Sequence, residues 1–244
     1  MKNTKITAVL ASALGLGAAA VRGLLYRVAV DDRGLLIRGH YLTVVLLALC
    51  AVGAVLAVSR LAGEKTSGLY EENFTPGLAG AIGSVAMAAG IALTLVSGNE
   101  LSRSNLMVLW YGSGILAGGG LLWAAFSQAK GRRPFLVVYG LVCLFLALHM
   151  VSRYQPWSGV PQAMDWAFSM LAAVGMTLCA YHLAAFCADG GHGRAFQAEA
   201  VLTVLFCCVA LPHTDYFPLY LGGLVWSLTA LWEMTGAAAS SVEE

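Results

Sequence analysis

The chain has 244 residues, of which 59% are hydrophobic and 11% are charged, whereas about 25% of the residues in an average soluble domain are charged. A soluble fold of this length cannot bury so many apolar side chains, and a formal net charge of +1 creates no field that would attract nucleic acid. The composition therefore predicts an all-α integral membrane protein whose surroundings are the lipid bilayer, with no nucleic-acid partner.

Eight apolar runs are long enough to cross a hydrocarbon core of about 30 Å, which takes about 20 residues of helix. The runs are continuous rather than alternating, and only helices or closed barrels satisfy the backbone inside a membrane, so we expect helices. The sequence predicts one transmembrane domain over residues 1–244, a polytopic bundle of about eight transmembrane helices. Seven spans are the alternative, if the first run does not cross. The predicted spans are residues 6–22, 41–60, 75–97, 104–127, 134–152, 164–187, 196–212 and 218–236.

The first apolar run resembles a signal peptide, and the segment after it has the pattern of a β-hairpin. Residues 6–17 follow two lysines and resemble a signal-peptide core, and the alanines at 18–20 suit a signal peptidase, although we favour a retained first helix. In residues 22–40, apolar and polar side chains alternate before an Asp-Asp-Arg-Gly turn sequence at 31–34. This pattern predicts a short hairpin at the membrane interface, either a surface connector or a cap over a cavity.

Small residues recur at three- and four-residue spacing in the third and fourth runs. Such spacing lets a second helix approach closely, so it predicts tight helix packing rather than a particular partner. The residues are Gly77, Gly80, Ser84 and Ala88 in the third run, and Gly114 and Gly118 in the fourth.

The distribution of lysine and arginine predicts the orientation of the chain. Eight of these residues fall on the side of the amino terminus and six on the other side, four of the six within the predicted hairpin. Positive residues accumulate in cytoplasmic loops. We therefore expect a multi-pass protein of the plasma membrane or bacterial inner membrane with both termini in the cytoplasm.

One segment pair hints at internal repetition. Residues 41–60 and 134–153 share seven identical residues when aligned, ending in the same Val-Ser-Arg sequence. An inverted repeat of the second to fourth and the fifth to seventh spans would be typical of a transporter. The match fades beyond Arg60, and apolar segments match easily by chance, so unrelated helices are the simpler interpretation.

Ionisable side chains within predicted spans suggest function by default, and an inner group contains His182, Glu199 and Glu233. His182 and Glu199 lie at equal sequence distances from the centre of a glycine-rich turn, between Gly190 and Gly191. An antiparallel helical hairpin would place them at matching depth, and Glu233 would lie on the same side of the membrane. A contact between His182 and Glu199 would suit a proton relay or an ion site. The simpler interpretation is that these residues hold neighbouring helices in register.

An outer group contains Glu100, His149, Arg153 and Asp165. His149 and Arg153 are four residues apart and share a helical face, and the two carboxylates are expected at the same membrane surface. The group could form a substrate vestibule, or it could be an interfacial belt of ion pairs. Neither a His-Glu-x-x-His pattern nor a Cys-x-x-Cys pattern occurs, so we expect no metal and no cofactor.

Three classes of function follow from these features. The chain has no phosphate-binding loop, so we do not expect it to drive transport by hydrolysing ATP itself. It also has no Gly-x-Ser-x-Gly nucleophile motif. Our first expectation is a small-solute or ion transporter, or a subunit of one. The alternatives are a structural or regulatory membrane subunit with a membrane partner or a second copy of itself, and a membrane-embedded enzyme that uses the outer group.

Overall fold

The structure is a computed structural model that describes residues 2–31, 36–37, 39–61, 77–97, 105–158, 163–188, 190 and 192–240. Side chains are described throughout these ranges except at residues 2–5, 60, 105, 155–158, 163–165 and 234–240. Eight helices account for nearly all of this part of the chain. They are α1 (Lys2–Val28), α2 (Tyr41–Leu61), α3 (Leu78–Ser97), α4 (Asn105–Ala129), α5 (Leu136–Ser158), α6 (Ala163–Cys187), α7 (Gly193–Ala210) and α8 (Phe217–Ser240).

Seven helices in the described ranges, α1 to α7, are long and apolar enough to cross a membrane. This finding confirms the predicted class, a polytopic bundle of helices. Their outward faces carry large exposed apolar side chains, such as Val55, Val96 and Val108. In lipid, unlike in water, such faces carry no energetic penalty.

The first helix is longer than predicted. It ends at Val28 instead of residue 22, so the first arm of the hairpin predicted over residues 22–40 is helical, which corrects that expectation. Beyond the helix, Val30 pairs with Leu36 in an isolated antiparallel bridge, and the Ile37 N–H donates to the Ala29 carbonyl at 2.8 Å. The fifth helix also outlasts its predicted span and ends at Ser158.

In the described ranges, six helices form a closed ring. Each helix from α3 to α7 packs on the next one in the chain, and α8 closes the ring by packing on both α7 and α3. The interior is filled by large side chains, among them Met87, Phe145, Met176 and Trp226. The ring is therefore a packed bundle, and functional groups must lie at interfaces between its helices.

The closest helix pair is α3 and α8, which run antiparallel with their backbones in near contact. A methyl group added to Gly90 would lie 2.6 Å from the carbonyl oxygen of Pro218, and one added to Gly222 would lie 2.7 Å from that of Ala86. At the other end of the pair, the Glu233 carboxylate reaches Gly80. Since α8 packs along α3 over this whole length, α8 crosses the bundle from one end to the other as α3 does.

The start of α1 and the end of α8 lie at one end of the bundle. An apolar groove of about 520 Å³ is lined there by Ala8 near the start of α1, Ala79 at the start of α3 and Trp232 near the end of α8. The turn between α6 and α7 connects helices at this same end, because α6 and α7 continue the alternation of the ring. We call this end the inner end and the opposite one the outer end.

The first two helices dock on the outside of the ring. They pack on each other and on α7, where Gly15 of α1 faces Cys208 and Gly53 of α2 faces Leu205. The helix α2 therefore has different neighbours from α5, which packs between α4 and α6. Such unlike surroundings give no support to the inverted repeat suggested by residues 41–60 and 134–153.

Candidate functional site

His182 and Glu199 meet across the α6–α7 interface. His182 Nε2 lies 3.0 Å from Glu199 Oε2, and the two side chains are 9% and 24% exposed. The contact forms because the two residues are equally far from the turn between their helices, as the sequence predicted. Glu199 is the more exposed partner, so a proton reaching the pair from the inner end meets its carboxylate first.

Aromatic rings enclose the imidazole. The rings of Tyr181, Phe186 and Phe196 lie 5.4, 6.5 and 6.4 Å from that of His182. The second ring nitrogen of His182, Nδ1, is buried and hydrogen-bonds to no residue in the described ranges. The pair therefore has a single polar contact, Nε2 to Glu199, inside an apolar shell.

This arrangement favours a particular protonation change. With a neutral imidazole beside an ionised Glu199, the pair has a net charge of −1. Uptake of one proton makes the pair net neutral, either as imidazolium and carboxylate or as imidazole and carboxylic acid. Because a net charge is costly in a low-dielectric interior, the number of protons on the pair determines what its burial between the helices costs.

A second polar contact lies one helical turn deeper. The Cys179 Sγ is 3.3 Å from the Thr203 hydroxyl, which also donates to the Glu199 carbonyl at 2.7 Å. Gly175 makes room for Thr203, since a methyl group there would collide with the hydroxyl oxygen. The site thus continues from the pair into the interior of the bundle.

Glu233 has a different role from the one expected for it. Its carboxylate accepts hydrogen bonds from the backbone N–H groups of Gly77 and Gly80, the latter at 2.7 Å. These are free donors at the start of a helix, where a negative charge is also favourable. Glu233 is therefore a cap for α3 and is not joined by these bonds to the His182–Glu199 pair, which corrects the grouping of the three residues.

A buried chain of side chains that the sequence did not predict joins α3, α4 and α5. The Ser84 hydroxyl donates to Gln128 Oε1 at 2.8 Å, and Gln128 Nε2 donates to the Tyr139 hydroxyl at 2.9 Å. All three side chains are buried. The one feature of the sequence that could have indicated a polar contact is the amide of Gln128, one residue beyond the predicted fourth span. Nothing in the sequence indicated its partners.

At the outer end, His149 and Arg153 converge on Tyr216, as expected for residues that share a face of α5. The Arg153 guanidinium lies 4.3 Å from the centre of the Tyr216 ring, and the His149 ring meets it edge-on at 4.9 Å. His149 is fully buried, with Trp110 and Phe145 also beside it. These contacts are those of a packed aromatic cluster.

The two carboxylates expected in the outer group cannot be added to this cluster. Glu100 lies outside the described residues, and Asp165 lies in the first turn of α6 with its side chain outside them. The vestibule therefore stays a prediction for these residues.

Arg22 joins α1 to the outer end of α7. Its guanidinium donates to the carbonyls of Val209 at 2.7 Å and His213 at 3.5 Å, and it lies 5.2 Å from the Phe168 ring centre. The carbonyls at the end of a helix lack partners within the helix. Arg22 thus caps α7 from another helix, which explains how an arginine is fully buried in an apolar bundle.

In the described ranges, no three His, Cys, Asp or Glu side chains lie close enough to hold a metal ion. Comparison of the chain with protein-family models, curated proteins and solved structures gives no match, so its function rests on the geometry of these sites.

Proposed function

We propose that this protein transports a small solute or an ion across a plasma membrane or bacterial inner membrane, and that the His182–Glu199 pair takes up and releases a proton during transport. The single observation that carries the proposal is the 3.0 Å contact between these ionisable groups inside an otherwise apolar helix interface. Ionisable residues in membrane spans are costly, and proton relays are one of the functions that retain them.

The mechanism follows from where the two groups lie. Glu199 is partly exposed, about one and a half turns from the inner end of α7, and His182 is enclosed by aromatic rings. A proton that enters through Glu199 makes the pair net neutral, so the interface between α6 and α7 no longer holds a net charge. Protonation thereby changes the cost of moving these helices against the rest of the ring, which is how proton binding couples to alternating access.

The orientation of the chain completes the proposal. The start of α1, the end of α8 and the pair lie toward one end of the bundle, and the lysine and arginine distribution favours the cytoplasm for that end. The pair then loads or releases its proton on the cytoplasmic side.

Proton flux into liposomes tests the proposal. The protein is reconstituted with a pH-sensitive dye inside the vesicles, and a potassium diffusion potential drives protons inward. We expect flux above that of protein-free vesicles, and loss of this flux in Glu199→Gln and His182→Gln. His40→Gln is the matched control, because His40 lies before α2 at the outer end. Equal flux in wild type and both pair variants would overturn the assignment of the site.

A second candidate, a membrane subunit that binds another helix, rests on a groove between α3 and α4. This groove of about 350 Å³ faces outward and is lined by Ala89, Ala92, Gly118 and Gly119. Small residues at a lipid-facing groove allow close approach of a further helix. If this candidate is correct, the protein is an oligomer in mild detergent and Gly119→Leu dissociates it. A monomeric mass for the wild-type protein would contradict this candidate.

A further inference from the structure

Polar side chains continue from the His182–Glu199 pair along the interface of α6, α7 and α8. We call this set the polar row, and it consists of Glu199, Thr203, Cys179, Ser227, Cys207 and Tyr220. Apart from Glu199, these residues are 0–1% exposed. A row of this kind is unusual in a bundle whose other interfaces are largely apolar, since each buried polar group costs free energy unless it is hydrogen-bonded.

The sequence spacing of the residues in the polar row shows that the row runs parallel to the helix axes. Glu199, Thr203 and Cys207 recur every four residues on α7, and Tyr220 and Ser227 are seven residues apart on α8. Both spacings keep side chains on one face of a helix. The row therefore extends from the inner end toward the outer end along these helices.

Contacts link successive members of the row. Cys179 Sγ is 3.3 Å from the Thr203 hydroxyl. Ser227 lies beside Cys179, and Cys207 lies within electrostatic range of both Cys179 and Tyr220.

Two hydroxyls of the row have polar neighbours but no well-aligned hydrogen-bond partner in the described ranges. Ser227 Oγ and Tyr220 Oη are buried, and neither makes a well-formed hydrogen bond to a residue in the described ranges. Buried polar groups in folded proteins are almost always satisfied by protein or by ordered water. The hydroxyls thus point to water within this interface.

At its outer end the row reaches the aromatic cluster. Tyr220 lies beside Ser169 and within electrostatic range of Arg153 and Arg22. Arg153 in turn covers the Tyr216 ring, which His149 also contacts. The row thus joins the inner pair to the outer group.

We infer that the polar row is a proton pathway between the His182–Glu199 pair and the outer end of the bundle. The inference rests on the proposed function, because it supplies the route for the proton that the pair binds. Each hydroxyl or thiol, or a water beside it, accepts a proton from the inner side and passes a different proton outward. No hydroxyl or thiol of the row changes its net protonation, and one proton leaves the outer end for each proton that the pair passes on.

Met176 is the barrier in this pathway. Its thioether fills the space left by Gly223 on α8, where a methyl group would collide with the sulfur. Gly223 lies between Tyr220 and Ser227 in the chain, so the thioether separates the inner and outer halves of the row. Apolar constrictions gate conduction by excluding water, and a methionine side chain is flexible enough to move aside.

The test uses variants that each remove a single oxygen from the row. Ser227→Ala and Tyr220→Phe are reconstituted in liposomes, and proton flux under a potassium diffusion potential is followed with an internal pH dye. We expect each variant to lower the flux by about a hundredfold, the lower end of what one positioned proton-transfer group contributes. The matched controls are Ser113→Ala, a buried serine of α4 bonded to its own helix, and Tyr154→Phe, an exposed tyrosine of α5.

The outcomes separate this inference from the proposed function. Wild-type flux that disappears in Glu199→Gln but persists in Ser227→Ala and Tyr220→Phe would overturn the pathway and leave the proposed function intact. Wild-type flux no greater than that of protein-free liposomes would overturn both. If either variant does not fold, Thr203→Val is the second variant, and unchanged flux in that protein would overturn the pathway.

Discussion

Long charged side chains in this bundle bond to the ends of helices other than their own. Arg22, on α1, donates to carbonyls at the end of α7. Glu233, on α8, accepts from N–H groups at the start of α3. Each charge has the sign that complements the helix dipole at that end. Such capping satisfies the backbone and the side chain together, and it links helices that are distant in the sequence.

Arg22→Met should loosen the outer end of α7. The substitution keeps an unbranched apolar side chain but leaves the Val209 carbonyl without its charged donor. We expect the free energy of unfolding to fall by about 1.5–3 kcal/mol, the usual contribution of a hydrogen bond to a charged group. Unfolding in mixed detergent micelles measures this, with Arg27→Met, an exposed position on α1, as the control. Equal stabilities of the two variants would contradict the cap.

Variants of the inner pair should separate stability from function. Glu199→Gln keeps the size and shape of the side chain beside His182 and a polar group at the same place, so its unfolding free energy should stay close to that of the wild type. His182→Ala removes the partner of a partly buried carboxylate and leaves space among the aromatic rings, so it should cost about 2–4 kcal/mol. The same unfolding titration measures both. If the pair serves only to hold the helices together, Glu199→Gln will keep full proton flux, which contradicts our proposal.

At the scale of helices, the spans could be predicted because apolar runs and helix lengths are local properties. Most helices begin or end within a few residues of the predicted limits. The exceptions are the ends of α1 and α5. In α1, Arg22 has the appearance of the end of an apolar run. The burial of Arg22 depends on carbonyl groups almost 190 residues away in the sequence, and a local sequence pattern cannot predict such a contact.

The glycines of α3 and α8 should be sensitive to the smallest enlargement. Gly90→Ala places a methyl group 2.6 Å from the Pro218 carbonyl oxygen, so the helices must separate. We expect a loss of about 1–3 kcal/mol of stability, as for other overpacked interfaces. Gly140→Ala on α5 is the control, because its methyl group would meet nothing within 4 Å. Thermal unfolding compares the two, and equal destabilisation would contradict the close packing of α3 and α8.

At the scale of the whole molecule, the ring closes through a contact that joins the third helix to the last. The small residues of α3 predicted that another helix packs closely on it, but they do not identify which helix. The helix that does so is α8, which is separated from α3 in the sequence by four intervening helices. The same limit applies to the polar network of Ser84, Gln128 and Tyr139. The matching depth of His182 and Glu199 could be predicted by counting residues from the short turn that joins their helices, but whether the two helix faces meet depends on how the helices pack.

The central claim is that Glu199 and His182 together bind a proton inside the membrane. Infrared difference spectroscopy of the protein in lipid bilayers, recorded as the pH is lowered, detects protonation of single carboxyl and imidazole groups. We predict imidazole or carboxyl bands that appear on proton uptake and are absent from the spectra of both Glu199→Gln and His182→Gln. Spectra in which both variants retain every band of the wild-type protein would contradict the claim.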